Sequence, residues 1–210
     1  MKRLCAVAMV VCLVLLFALC LKPTQSFSFL PFKRKKAYDI RKFLNTEEPI
    51  WTYNTSMRAN VWCEVSVKVN VTDSSIFFTR SSYDRKGRTT ALLEGKFVSD
   101  RKKHMDMSSP DGVYTLNEDI VYMSDDRGCA VIMVTSSFDG QKETFDLRVR
   151  NSSLASGITE KCQRKFNKRV PEGQVIYKPQ CQRILDRGEV VVGNTEQGLI
   201  PANAPSWTPL

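Results

Sequence analysis

The chain has 210 residues, 42% of them hydrophobic and 25% charged; that balance suits a globular domain with a sizeable core and excludes a chain disordered throughout. The net charge is +9, but the excess sits in short runs, Lys33–Lys36, Arg101–Lys103 and Lys165–Arg169. These read as solvated faces and loops rather than as a nucleic-acid surface, with anionic glycans or membranes as a second option. No repeat at a solenoid period is visible.

In chain order, Lys2 and Arg3 precede an unbroken apolar run from Leu4 to Leu21, followed by Lys22, Pro23 and Thr24-Gln25-Ser26. This pattern predicts a secretory signal peptide over residues 1–26. Cleavage after Ser26 competes with cleavage after Cys20, and an uncleaved membrane anchor is the alternative to both. Losing residues 1–26 removes Lys2, Arg3 and Lys22, so the mature chain carries about +6. Cys5, Cys12 and Cys20 go with the signal. Cys63, Cys129, Cys162 and Cys181 remain, enough for two disulfides in any of three connectivities. The sequons at Asn54, Asn70 and Asn151 agree with a secreted, extracellular glycoprotein.

Residues 27–37 form a basic leader, 38–185 the folded domain and 186–210 a flexible tail. Ala37 to Leu44 suits a short helix capped by Asp39, with Ile40, Phe43 and Leu44 on its apolar side. From Ile50 the pattern becomes strand-like. Val61, Cys63, Val65, Val67, Val69 and Val71 alternate with Trp62, Glu64, Ser66, Lys68 and Asn70. Because a glycan on Asn70 must reach water, the valine face is expected inside. Ile76–Ser82 and Thr89–Val98 read as strands around the turn Asp84-Arg85-Lys86-Gly87. Met105–Met107 reads as a short edge, Val113–Leu116 and Ile120–Ser124 as two short strands. Cys129–Phe138 and Glu143–Arg150 pair around Asp139-Gly140. The period then changes: Ile158, Cys162, Phe166 and Val170 recur every four residues on one amphipathic helix ended by Pro171 and Gly173. Val175–Tyr177 reads as a last short strand. About eight antiparallel strands followed by a helix suggest an all-β closed barrel or a sandwich; the barrel leaves no exposed edge and has room for side chains or one small ligand.

A set of segments in fixed order narrows this choice. They are Asp39-Ile40-Arg41-Lys42-Phe43-Leu44, Pro49-Ile50-Trp51, Tyr122 with Asp125 and Cys129-Ala130-Val131, Asp146-Leu147-Arg148-Val149-Arg150, Cys162 with Phe166, and Val175-Ile176-Tyr177 leading to Cys181. The chain thereby resembles the tick salivary lipocalins, the histamine-binding protein family, from about Asp39 to Cys181. The resemblance implies an eight-stranded antiparallel lipocalin barrel with a short N-terminal helix and one helix packed on the barrel. It also implies the disulfides Cys63–Cys181 and Cys129–Cys162. The family's biogenic-amine motif is met in spacing and only in part in residues: Ala130 stands where an acid is expected, Asp146-Leu147 keep the acid and the leucine, and Arg148 replaces an aromatic. A buried ammonium needs a carboxylate partner, so this departure argues against a high-affinity amine site.

Enzymatic chemistry finds no support. His104, the single histidine, reads as an exposed loop residue. No nucleophile motif, zinc spacing or phosphate loop accompanies it, and no metal or cofactor is expected. The candidate lining of a ligand cavity is Trp51, Phe78, Phe97, Tyr114, Tyr122, Phe138 and Asp146. For Asp146 the strand alternation points outward, whereas the family motif points inward. The resemblance implies a monomeric secreted protein that sequesters a small host mediator, either a lipid mediator or a biogenic amine, modulating host defence at the feeding site. The alternative is a module that inhibits a host defence protein, such as one of complement, through its loops. An apolar lumen with Arg80 or Arg148 nearby would favour a carboxylate lipid; a lumen closed by large side chains would favour the protein binder.

Overall fold

The computed structural model describes residues 37–58, 60–112, 115–136 and 142–186. The segment expected to be a signal peptide, most of the expected leader, nearly all of the expected tail, and the candidates Tyr114 and Phe138 lie outside the described residues. Helix α1 (Ile40–Leu44) precedes eight strands: β1 (Ile50–Thr55), β2 (Trp62–Val71), β3 (Ser75–Asp84), β4 (Gly87–Phe97), β5 (His104–Ser108), β6 (Thr115–Met123), β7 (Cys129–Ser136) and β8 (Glu143–Arg150). Two helices, α2 (Asn151–Ala155) and α3 (Glu160–Asn167), follow, then β9 (Gln174–Val175), a 3-10 turn at Pro179–Gln182 and α4 (Arg183–Asp186). Each of the eight strands pairs with its antiparallel neighbours, and β1 closes the ring by pairing with both β8 and β2. The result is the closed lipocalin barrel; β9 adds outside it to the far end of β1.

Local chemistry explains the turns and the plug. In the β3–β4 hairpin Asp84 Oδ1 accepts from the amides of Lys86 and Gly87, and Gly87 takes φ +127°, a conformation that only glycine adopts freely. Asp39 caps α1 by accepting from the amide of Arg41 at 3.1 Å. The Arg150 guanidinium then binds the α1 carbonyls of Phe43 (2.7 Å) and Lys42 (3.1 Å), as suits a cation at a helix C-terminus. Ile40, Phe43 and Leu44 thereby close one end of the barrel. The C-terminal ends of β1, β3, β5 and β7 lie at the other end.

Two expectations about the strands change. Asn117, Glu118 and Asp119 do not break the chain into two short strands; β6 runs through them, paired on both sides. The Met105–Met107 segment is no edge either, since β5 pairs with β4 and β6, and both methionines are buried in the lumen.

The larger correction concerns the valine face. Cys63 and Val65, with Val67 against them, pack outside the barrel against Trp51, Cys181 and Ile184. Glu64 and Ser66 point inward instead. A strand covered on its outer face by further chain carries apolar residues there, so alternation alone does not say which face is the lumen. Irregularities in β2 complete the account. The register shifts between Trp62 and Val65, with Cys63 at φ +59°, and again between Lys68 and Asn70. The second bulge turns Asn70 outward while Val71 joins the lumen cluster. Asn70 therefore reaches water without sharing its side of the barrel with Glu64.

Helix α3 is shorter than its period suggests. Thr159 caps it by accepting from the amide of Cys162. Cys162 and Phe166 turn to the outer wall, where they pack with Val131, Leu147 and Val149. Disulfides join Cys129 to Cys162 and Cys63 to Cys181, closing loops of 33 and 118 residues. Each link stabilises by roughly 3–5 kcal/mol on a chain-entropy model. One fixes α3 to β7, the other ties the C-terminal segment to β2.

Candidate ligand site in the barrel lumen

The lumen holds an apolar cluster packed on α1 and a layer of buried charged groups. Ile76, Phe78, Leu93, Met105 and Ile120 form one cluster with α1. Above them Glu118, with no exposed surface, receives two guanidinium groups from across the barrel. Arg148 of β8 donates Nη1 to Oε2 and Nη2 to Oε1, both at 2.7 Å, a bidentate pair. Arg80 of β3 donates Nη2 to Oε1 at 3.1 Å and Nε to Ser66 Oγ at 3.1 Å.

Two further acids join this layer. Asp146 accepts from Arg148 at 3.0 Å and from the Thr55 hydroxyl at 2.8 Å. Glu64 accepts from the Thr52 hydroxyl at 2.6 Å and lies within electrostatic reach of Arg148. Burial pushes the Glu118 carboxyl up, but the charges of Arg148 and Arg80 and their hydrogen bonds outweigh it and bring the pKa down to about 2. Burial likewise works against the Arg148 cation, yet Glu118 and Asp146 raise its pKa further. Three acids thus share two guanidinium groups in a low-dielectric space. Arg148 Nε is buried with no partner. Buried ion clusters are a weak source of stability, and their concentration in a lumen marks a candidate binding site.

The sequence candidates divide. Phe78 and Asp146 face the lumen, Asp146 inside the charged layer and Phe78 beneath it, with Arg80 5.3 Å from its ring centroid. Phe97 packs against the same apolar cluster at the α1 end, under Arg41. Trp51 is on the outer wall. It is buried there against Cys181 and Ile184, its indole donates to Asn151 Oδ1 at 2.9 Å, and its ring meets that of Tyr177 edge-on. Tyr122 is also outside, beneath α3 and edge-on to Tyr38. Bulges decide both signs of this result: the shift between Thr52 and Asn54 lets Thr55 and Asp146 meet inside, and that between Ile120 and Tyr122 sends Tyr122 out.

Glu118, Glu64, Thr52 and Thr55 were not among the candidates. Leu116, Glu118 and Ile120 share one face at period two, a signal that a strand through Asn117–Asp119 would have exposed. His104 is not an exposed loop residue. It is buried at the start of β5 with both ring nitrogens against carboxylates, Asp119 at 3.0 Å and Asp106 at 2.8 Å, so neither is left to serve a nucleophile. Among the described residues no group of His, Cys, Asp and Glu is placed to hold a metal ion.

The three sequons differ in their surroundings. Asn70 is exposed. Asn151 is half-buried and uses Oδ1 to accept from Trp51 and from Gln182, which leaves its Nδ2 free for a sugar. Asn54 is 7% exposed, and its Oδ1 is buried against Gly173 with no hydrogen-bond partner. Of the three, Asn54 is the sequon asparagine whose side chain is buried.

A solved structure of similar fold is that of Japanin from Rhipicephalus appendiculatus bound to cholesterol, with a TM-score of 0.51 and 13% identity over 65% of this chain and 96% of that one. The siderocalin Ex-FABP matches with a TM-score of 0.47 and 13% identity, over 60% of this chain and 84% of that one. Bovine odorant-binding protein, as a deswapped triple mutant, matches with 0.44 and 13%, over 59% and 83%. A search of curated proteins returns no match. The family model for the tick histamine binding protein matches residues 33–183, which spans the barrel, both disulfides and α3; the chain belongs to that family, and its fold is that of ligand-binding lipocalins rather than of enzymes.

Proposed function

We propose that this chain is a secreted lipocalin that sequesters a small host mediator without turning it over, and that the mediator is an apolar-bodied lipid rather than a biogenic amine. One observation carries this reading: the lumen acids already hold the chain's own cations. An ammonium entering the barrel must compete with Arg148, which binds Glu118 and Asp146 directly and lies near Glu64. A second anion is also disfavoured where three acids share two guanidinium groups. A neutral amphiphile, its body against the apolar cluster and an acceptor on the orphan Nε of Arg148, satisfies both constraints. Met105 and Met107 in that cluster are side chains that repack at low cost. Japanin, a tick protein of the same fold, is recorded bound to cholesterol, a ligand of this type.

Sequestration needs only affinity and abundance. Secretion fits the signal-like residues 1–26 and the two disulfides. Glycans at Asn70 and Asn151 are supported by the exposure of the first side chain and the partial exposure of the second, and Asn54, buried in β1, is the least favoured of the three.

The test is native mass spectrometry of protein from a secretory host, followed by thermal shift with cholesterol and with histamine. A co-purified lipid or a sterol-induced rise in Tm is expected, with no response to histamine. A histamine response alone would overturn the lipid reading. The second reading, inhibition of a host defence protein through the loops, is favoured by the packing of the lumen, where Met105, Ile132 and Glu118 have no exposed surface. It gains if neither ligand binds.

A further inference from the structure

The outer side of α3 has a charge pattern that neither the fold nor the lumen requires. Cys162, Phe166 and Val170 face the barrel; Lys161, Arg164, Lys165, Lys168 and Arg169 are all exposed. Lys161–Lys165, within α3, and Arg164–Lys168, reaching its C-cap, are like-charge pairs four residues apart, an unfavourable spacing on a helix. Glu160 pairs with Arg164, and among the described residues no acid lies within ion-pair distance of Lys161, Lys165, Lys168 or Arg169.

The pattern extends beyond the helix. Lys165 Nζ stands 6.0 Å from the Tyr122 ring and Lys103 Nζ 5.9 Å from the Tyr38 ring, and those rings are 5.8 Å apart. The exposed run Arg101-Lys102-Lys103 is thus joined to α3 across two tyrosines that meet edge-on. Residues 100–103 and 158–170 together hold eight cations against two acids, Asp100 and Glu160. Asp119, beside Lys103, is engaged by His104. The Cys129–Cys162 link holds the helix in place, so the cations are presented as a fixed array and not as a loose tail.

We propose that this face binds a sulfated polysaccharide, whose successive sulfates span α3 and the β4–β5 loop. A linear polyanion of high charge density offsets the mutual repulsion of the array and releases counterions as it does so. A membrane fits less well. The large exposed apolar side chains among the described residues, Trp62, Val69, Leu92 and Val175, are on β2, β4 and β9, so this face has no apolar group to insert. Nucleic acid fits less well too, because Tyr38 and Tyr122 lie beneath lysines and offer no open stacking surface.

The experiment measures heparin binding to the full mature chain as a function of salt. Three proteins are compared: wild type, Lys161→Gln/Lys165→Gln/Lys168→Gln, and a control of equal charge, Arg85→Gln/Lys86→Gln/Lys96→Gln. Wild type is expected to bind heparin near physiological salt. The α3 variant should lose at least about tenfold in affinity, and its dependence on log salt should fall by roughly three, about one for each cation removed. The control should stay close to wild type. Equal weakening of the two variants, or binding to phosphatidylserine vesicles with none to heparin, would overturn the proposal. The lumen reading does not enter this test and stands or falls on its own.

Discussion

Two layers of this barrel, both buried, are built from opposite materials. Outside β7 and β8 the wall beneath α3 is apolar, with Val131, Leu147, Val149, Cys162 and Phe166 in one cluster. One side chain away, on the inner face of the same strand, Asp146 and Arg148 belong to an ion layer with Glu118 and Arg80. The usual order of polar outside and apolar inside is reversed here: the outer wall is covered by α3, and the inner face carries the charged groups of the proposed site. The apolar layer can hold α3 by burial alone. The charged layer brings little stability for its desolvation cost, which is why we assign it to recognition.

The sharpest way to break this comparison is to cut each layer separately. Glu118→Ala leaves Arg80 and Arg148 facing each other without their shared anion and should destabilise by about 3–5 kcal/mol, read as a lower urea midpoint with unchanged m-value. Replacing the three groups that meet at Glu118, Arg80→Met/Glu118→Leu/Arg148→Met, removes the opposed cations together with their anion and should recover part of that loss, since apolar side chains of similar volume substitute for a buried ion cluster while Asp146 and Glu64 keep the hydroxyl bonds from Thr55 and Thr52. If the triple variant is as unstable as the single one, the layer is structural and its functional assignment fails. Arg148→Met alone is expected to be unstable and to gain histamine binding, because it leaves Asp146 without a cation and Glu118 with Arg80 as its one guanidinium partner.

On the outer wall the corresponding cut is Cys129→Ala. Loss of the 33-residue loop closure should cost roughly 3 kcal/mol under oxidising conditions and nothing under reducing ones, as followed by thermal unfolding with and without reductant. An unchanged Tm in oxidising buffer would mean that α3 is held by Phe166 and its neighbours without help from the bridge.

These cuts also separate what the sequence makes legible from what it hides. Most of the strands, though not the continuous β6, and α1 with its Asp39 cap, α3 and its buried stripe can be read from period and turn chemistry, because each is a local pattern. The disulfide pairs came only with the family resemblance; four cysteines alone leave three choices. Which face of a strand is the lumen is a property of distant chain. Nothing near Val65 or Trp51 tells that the segment around Cys181 and Ile184 will lie over them. Bulges near Tyr53, Val69 and Val121 then exchange faces within single strands, and no alternation rule anticipates a one-residue shift. Glu118 was lost for a related reason: three polar residues in a row resemble a loop until two arginines from other strands are seen to meet the middle one.

The acid response distinguishes the layers by sign. Glu118 has its pKa depressed in the folded state, to about 2, against roughly 4.3 when unfolded. Its ionised form therefore favours the native state above about pH 4.3, and that contribution fades as pH falls towards 2. Arg148 and Arg80 do not titrate in this range, so protonating Glu118 leaves two buried cations opposed. Wild type should lose stability over this window more steeply than the Arg80→Met/Glu118→Leu/Arg148→Met variant, as measured by urea midpoints from pH 5 downwards. Parallel curves would place the acid sensitivity elsewhere, for instance at Glu48 or Asp126, whose carboxyls are also depressed, chiefly by hydrogen bonds from Ser152 and Ser124.

The smallest expected effect tests how far the apolar layer depends on its helix. Thr159 caps α3 through a 3.4 Å hydrogen bond to the amide of Cys162, the residue that is itself bridged to Cys129. Removing an N-cap costs about 1 kcal/mol on average, but here the disulfide already fixes the first turn. Thr159→Ala should therefore destabilise by less than about 1 kcal/mol in oxidised protein. In the Cys129→Ala background, where the helix must hold itself to the wall, the same substitution should cost more. That difference, read from a double-mutant cycle, measures the coupling between cap and bridge. A strictly additive cycle would show that the helix start is fixed by packing of Phe166 and Val170 against the wall, and that the bridge acts only on the unfolded chain.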